Sequence, residues 1–103
     1  MAQPPTTYYA VLLERVDNWH TRIPIRQQEQ WDEHAAFMDA LVDEGFVILG
    51  GPLGDGKNVL LIIATTSEQD IERRLADDPW TSLGLLRIVS IEHWEVLLKA
   101  HQQ

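Results

Sequence analysis

Apolar residues along this chain switch between two periods, and each switch marks an element. "YYAVLLE" (8–14) is apolar on both of its alternating faces, the pattern of a strand covered on two sides. A long polar loop, "RVDNWHTRIPIRQQ", follows. Trp31, Ala35, Met38, Leu41 and Val42 then recur at spacings of three and four, which predicts an amphipathic helix that begins at Trp31 and stops at Gly45. A glycine suits the left-handed position just past a helix end. "FVILGGPL" (46–53) and "NVLLIIAT" (58–65) read as strands joined by "GDGK", where Asp55–Gly56 is a hairpin signal. Thr66 and Ser67 offer helix caps, and Thr66 with Gln69 has capping-box spacing. Ile71 and Leu75 give a short second helix its buried face, and "ADDPW" ends it. "GLLRIVSIEHWEVLL" (84–98) supplies the fourth strand.

The order βαββαβ is the ferredoxin-like pattern of an α+β fold: an antiparallel four-stranded sheet with two helices on one face. Two helices cover only one side of such a sheet, yet the first three strands are apolar on both. An apolar face of that size is not left wet in a soluble monomer. A second copy packed against it is the expected remedy, so the chain is read as a homodimer.

Length and composition narrow this further. The 103 residues fit a single domain, 1–103, with an ordered core over about 8–98. Hydrophobic residues make up 45%, enough for a core without disulfides, and there are no cysteines. Disulfide frameworks, thiolate nucleophiles and cysteine-based zinc sites are thereby excluded. The composition suits a reducing compartment, and a cytoplasmic location is expected. Sixteen acidic residues against eight basic ones give a net charge of −8. The basic residues are scattered, apart from Arg73–Arg74, so neither nucleic acid nor an anionic membrane is an expected partner. No apolar run approaches the ~20 residues of a membrane-spanning helix. "MAQPPTTYY" has no basic region followed by an apolar stretch; it reads as a frayed lead-in rather than a signal peptide.

One motif fails on its context. Gly51, Gly56 and Lys57 have the G-x-x-x-x-G-K spacing of a phosphate-binding loop. Asn58 replaces the magnesium-holding Ser or Thr, a strand follows instead of a helix, and Asp55 puts a negative charge in the cradle. A hairpin turn is the better reading.

Candidate chemistry centres on His34, which sits on the apolar stripe of the first predicted helix. An imidazole there is either a packed core residue or a proton-transfer group facing a cleft. Trp31, Phe37 and Met38 would supply an apolar wall. Asp78 in "DDPW" has the form of a helix cap followed by Pro at the first helical position. Its second oxygen leaves it free to orient an imidazole. Arg22 and Arg26 in the long loop are candidates for holding a carboxylate or phenolate of a ligand. His20, His34, His93 and His101 show no metal-ligand spacing, and Ser90 has no nucleophile signature around it. No metal or organic cofactor is expected.

Taken together, these segments resemble the YciI-like, or YCII-related, domain family. The resemblance rests on the order of "YYAVLLE", a His34-bearing helix ending in "DEG", "GGPL", "ADDPW" and "GLLRIVSIEHW", over about residues 8–98. It implies a ferredoxin-like fold that pairs as a dimeric α+β barrel, with an active site on His34 and Asp78. The loop over 16–30 is longer than in short family members, and Trp80 stands where Phe or Tyr is usual. The expected function is a small cofactor-independent enzyme. It would use the His34–Asp78 pair for proton transfer, by elimination or isomerisation, on a small cyclic or aromatic oxygenated molecule. Arg26, Trp31, Met38 and Trp80 would contact that substrate. The alternatives are a dimeric module that binds a small ligand without turning it over, and a structural domain in which His34 is core.

Overall fold

The computed structural model describes residues 7–16 and 23–100. Met1–Thr6 of the lead-in, His20 and Arg22 of the long loop, and His101 lie outside the described residues. The alternating segments form strands β1 (Thr7–Arg15), β2 (Val47–Leu53), β3 (Asn58–Thr65) and β4 (Leu86–Trp94). The helices are α1 (Trp31–Asp43), α2 (Glu68–Leu75) and the single turn α3 (Pro79–Ser82), preceded by a 3-10 turn at Ile25–Gln27. Every neighbouring pair in the sheet is antiparallel, in the order β2-β3-β1-β4. This is the ferredoxin-like arrangement that the element order predicts.

Strand alternation sorts the two faces. Val11 and Leu13 of β1 and Leu61 and Ile63 of β3 point to one side. There they meet Leu41 of α1, Phe46, and Ile71 and Leu75 of α2. Both long helices therefore cover the same face. A second cluster at one end joins Trp80, Leu85 and Leu86, with Trp31 and Ile25 packed against it. The opposite face carries Tyr8, Ala10 and Leu12 beside Leu60 and Ile62, and Leu49 and Leu53 remain exposed there.

Two bulges explain spacings that plain alternation does not. Ile88 and Ile91 both pack on the helix side although three positions separate them, because the β1–β4 register shifts between Leu12 and Leu13. A second shift, between Val47 and Leu49, brings Gly50 opposite Leu61 on the same side as Val47.

The turn residues behave as their chemistry requires. Gly45 has φ +79°. Around it, Phe46 N–H donates to Leu41 O at 3.0 Å and Gly45 N–H to Val42 O at 2.9 Å, the paired bonds of a Schellman motif. In the β2–β3 hairpin, Gly56 N–H donates to Leu53 O at 2.7 Å and Lys57 N–H to Asp55 Oδ1 at 2.9 Å. The G-x-x-x-x-G-K stretch thus opens onto β3, not onto a helix.

One local expectation needs correction. The cap of α2 is Ser67, not a Thr66–Gln69 box: extended Ser67 accepts Asp70 N–H at 3.2 Å through its hydroxyl. Counting from that cap puts Asp70, rather than Gln69, at the third helical position. "ADDPW" ends α2 and, as its sequence predicts, opens another helical turn. Asp78 caps a further turn with Pro79 in its first position, so β4 begins at Leu86.

Arg73 and the Thr65 hydroxyl both donate to Asp70 and hold its carboxyl below the usual carboxylate value. A carboxyl depressed on folding contributes stability above its unfolded pKa and loses it as pH falls through the folded one. Asp70→Asn is expected to shrink the drop in thermal midpoint on acidification below about pH 4. Melting curves across that range measure it, and an unchanged acid limb counts against Asp70.

Candidate active site

His34 lies in the first turn of α1, its backbone N–H donating to Gln30 O at 3.0 Å. Gln30 caps this helix in the left-handed region at φ 56°, a conformation costing a non-glycine residue about 1–2 kcal/mol. It sits between Trp31 and Glu29, whose carbonyl accepts Trp80 Nε1–H at 2.6 Å. The entry to α1 is thereby tied to α3.

Asp78 reaches the same place from the other side of the fold. As the cap of α3, its Oδ1 accepts Trp80 N–H at 3.0 Å. The carboxylate also takes His34 Nδ1, at 2.8 Å to Oδ1 and 2.9 Å to Oδ2. Only 3% of Asp78 is exposed, and a buried carboxylate needs such donors. The ionised carboxylate only accepts, so Nδ1 carries the hydrogen and the neutral ring has its lone pair on Nε2. Nε2 has no hydrogen-bond partner among the described residues.

Aromatic packing fixes the plane of the imidazole. Trp80 stacks on it at 3.7 Å between centroids and 7° between planes. Trp31 leans against both rings, at 5.9 Å from His34 and 5.8 Å from Trp80. Trp80 is 1% exposed, whereas the His34 side chain keeps 13% of its surface accessible.

His34 borders a cavity of about 240 Å³ between the helices and the sheet. Leu13, Val59, Leu61 and Leu86 line it from the strands, and Trp31, Met38 and Leu75 from the helices. Edge strand β2 adds Gly50, Gly51 and Pro52. Gly50 is required there: a Cβ would lie 2.5 Å from Leu61 Cδ2 and 3.1 Å from Leu60 O. The lining also holds the indole N–H of Trp31, and Thr81, whose hydroxyl donates to Leu75 O at 3.1 Å.

Of the residues singled out in the sequence, His34, Asp78, Trp31, Met38 and Trp80 border the cavity, whereas Phe37, expected in its wall, packs against the main core instead. Arg26 does not border it either. It is exposed on the 3-10 turn, and its neighbour Ile25 contributes to the lining instead. Thr81 and the glycines of β2 were missed. "GGP" in an otherwise apolar strand was the available signal, since consecutive glycines in a strand mark a close approach. Nothing in the sequence marks the Glu29 carbonyl as an anchor for Trp80. Among the described residues, no three His, Asp or Glu side chains converge as a metal ion would require, and no helix is long and apolar enough to cross a membrane.

No family model matches the chain, and no curated protein matches it in sequence. Among solved structures, it is similar to 5-chloro-2-hydroxyhydroquinone dehydrochlorinase (TftG) from Burkholderia phenoliruptrix AC1100, in complex with 2,5-dihydroxybenzoquinone. The TM-score is 0.57 at 20% identity, over 85% of this chain and 93% of that one. At this identity the likeness is one of fold.

Proposed function

We propose that this chain is a cofactor-independent enzyme of the YCII-related kind, moving protons on a small cyclic or aromatic oxygenated substrate. One observation carries the reading. An imidazole bordering an apolar cavity has Nδ1 held by a buried carboxylate and leaves Nε2 unpartnered. A carboxylate in that position fixes the tautomer and balances the charge that develops when Nε2 takes a proton. His34 is then the general acid/base and Asp78 its orienter. In an isomerisation, Nε2 removes a proton and returns it at another atom of the substrate. In an elimination, Nε2 removes the proton while the leaving group departs with its bonding electrons. Neither route needs an oxidant or reductant. The fold shared with a dehydrochlorinase that binds a hydroxylated quinone favours this reading.

An absorbance screen of hydroquinones, hydroxyquinones and lactones tests it. Turnover by the wild type, lost in His34→Asn while the compound still binds, is the expected result. A compound that binds both proteins equally and is turned over by neither replaces the enzyme with a binding module.

The same proposal includes a homodimer through the helix-free sheet face. Leu49, Leu53 and Trp94 there are 62%, 44% and 43% exposed. Light scattering at micromolar concentration should return about twice the chain mass of 11.8 kDa. A monomer at that concentration removes the dimer from the proposal.

A further inference from the structure

We infer that the cavity admits its ligand uncharged and recognises it as a hydrogen-bond donor. Resting on the proposed function, this narrows the substrate to a hydroxylated ring that carries no carboxylate, sulfonate or phosphate. Three features of the lining lead there.

The first is charge. Among the described residues that border the cavity, Asp78 is the one fixed charge, and no Lys or Arg is present. Arg26, Arg74 and Arg87 each adjoin a lining residue in sequence, but none of them borders the cavity. A permanent anion brought into this apolar cavity would lose its hydration and meet no fixed cation. It would also approach a buried carboxylate, in a chain whose net charge is already −8.

The second is hydrogen-bond polarity. His34 Nε2 presents a lone pair, because Nδ1 carries the hydrogen toward Asp78. Thr81 has committed its hydroxyl hydrogen to Leu75 O, which leaves the oxygen able only to accept. Asp78 accepts throughout. These three side chains call for O–H groups on the ligand, which a carboxylate does not supply; the indole N–H of Trp31 is the remaining side-chain donor in the lining.

The third is direction. Trp80 covers one face of the imidazole at 3.7 Å, so the lone pair on Nε2 is met in the plane of that ring. A ring hydroxyl arriving there gives its proton to Nε2: the O–H bond breaks, an N–H bond forms, and the oxyanion remains beside the imidazolium. The Nδ1 hydrogen stays between His34 and Asp78, and total charge is unchanged. The imidazolium answers that one oxyanion. A second anionic group on the same ligand would stand alone.

Matched pairs of compounds test this: catechol against 3,4-dihydroxybenzoate, and hydroquinone against 2,5-dihydroxybenzoate, titrated near neutral pH by calorimetry and by amide chemical shifts. The neutral member of each pair is expected to bind at least about tenfold more tightly. Pro52→Lys, at an exposed edge-strand position bordering the cavity, is expected to recover several-fold affinity for the carboxylated members only. A carboxylated member that binds the wild type as tightly as its neutral partner overturns the inference and leaves the proposed function standing. Equal gains for both members in Pro52→Lys also overturn the charge argument. If no member of either pair binds, the hydroxylated-ring reading of the cavity falls, and this inference with it.

Discussion

His34→Ala is expected to lower kcat/KM by about 10²–10⁴-fold, the usual contribution of a positioned acid/base, while leaving a folded protein. The ring is held by a carboxylate, a stacked indole and the first turn of α1, but it completes no backbone hydrogen bond. Its removal leaves the Asp78 cap on Trp80 N–H in place. Asp78→Asn should lose less activity. An asparagine Oδ1 can still accept from both Trp80 N–H and His34 Nδ1–H, but the neutral amide loses the second contact at Oδ2 and cannot balance the charge on an imidazolium. Asparagine caps a helix about as well as aspartate, so any destabilisation comes from the lost charge-assisted bond to His34. Steady-state kinetics with thermal melts of both variants separate the two effects. Undiminished turnover in a folded His34→Ala protein would remove His34 from the chemistry.

The sheet order was legible because it follows from element order and two-sided strand hydrophobicity, both local signals. So was the position of Asp78, since "DDPW" specifies a cap and a first-position proline with little help from tertiary structure. The meeting of His34 with Asp78 was legible only as an expectation. It depends on both helices sharing one face across a separation of 44 positions. The bulges in β2 and β4 were not legible, because an inserted residue leaves an apolar strand apolar and only alters which face each residue takes. Arg26 misled for a related reason. Charge and loop position are visible in a sequence, but the direction of a 3-10 turn is not, and here it turns Ile25 toward the cavity and leaves Arg26 outside.

Trp80→Ala is expected to cost about 3–5 kcal/mol, the range for removing a fully buried large aromatic. The residue is 1% exposed and centres the second core cluster with Leu85 and Leu86. Small domains have only about 5–15 kcal/mol in hand, so a large fraction of the stability would go. Trp80→Phe separates packing from polarity. Phenylalanine keeps a flat ring against His34 and leaves the backbone N–H for Asp78 to cap, but it gives up the 2.6 Å bond from Nε1 to Glu29 O. That bond ties the left-handed entry of α1 to α3, and its loss, which also strands a carbonyl, should cost about 1–2 kcal/mol. Urea unfolding of the three proteins measures both differences. Nitrogen chemical shifts of His34 in Trp80→Phe then report whether the ring keeps its Nδ1–H tautomer once α1 is freed from α3. A small loss in Trp80→Ala, below about 1 kcal/mol, would mean that this end of the core can collapse around the missing indole. In that case the plane of His34 must be set by Asp78 and Trp31 alone.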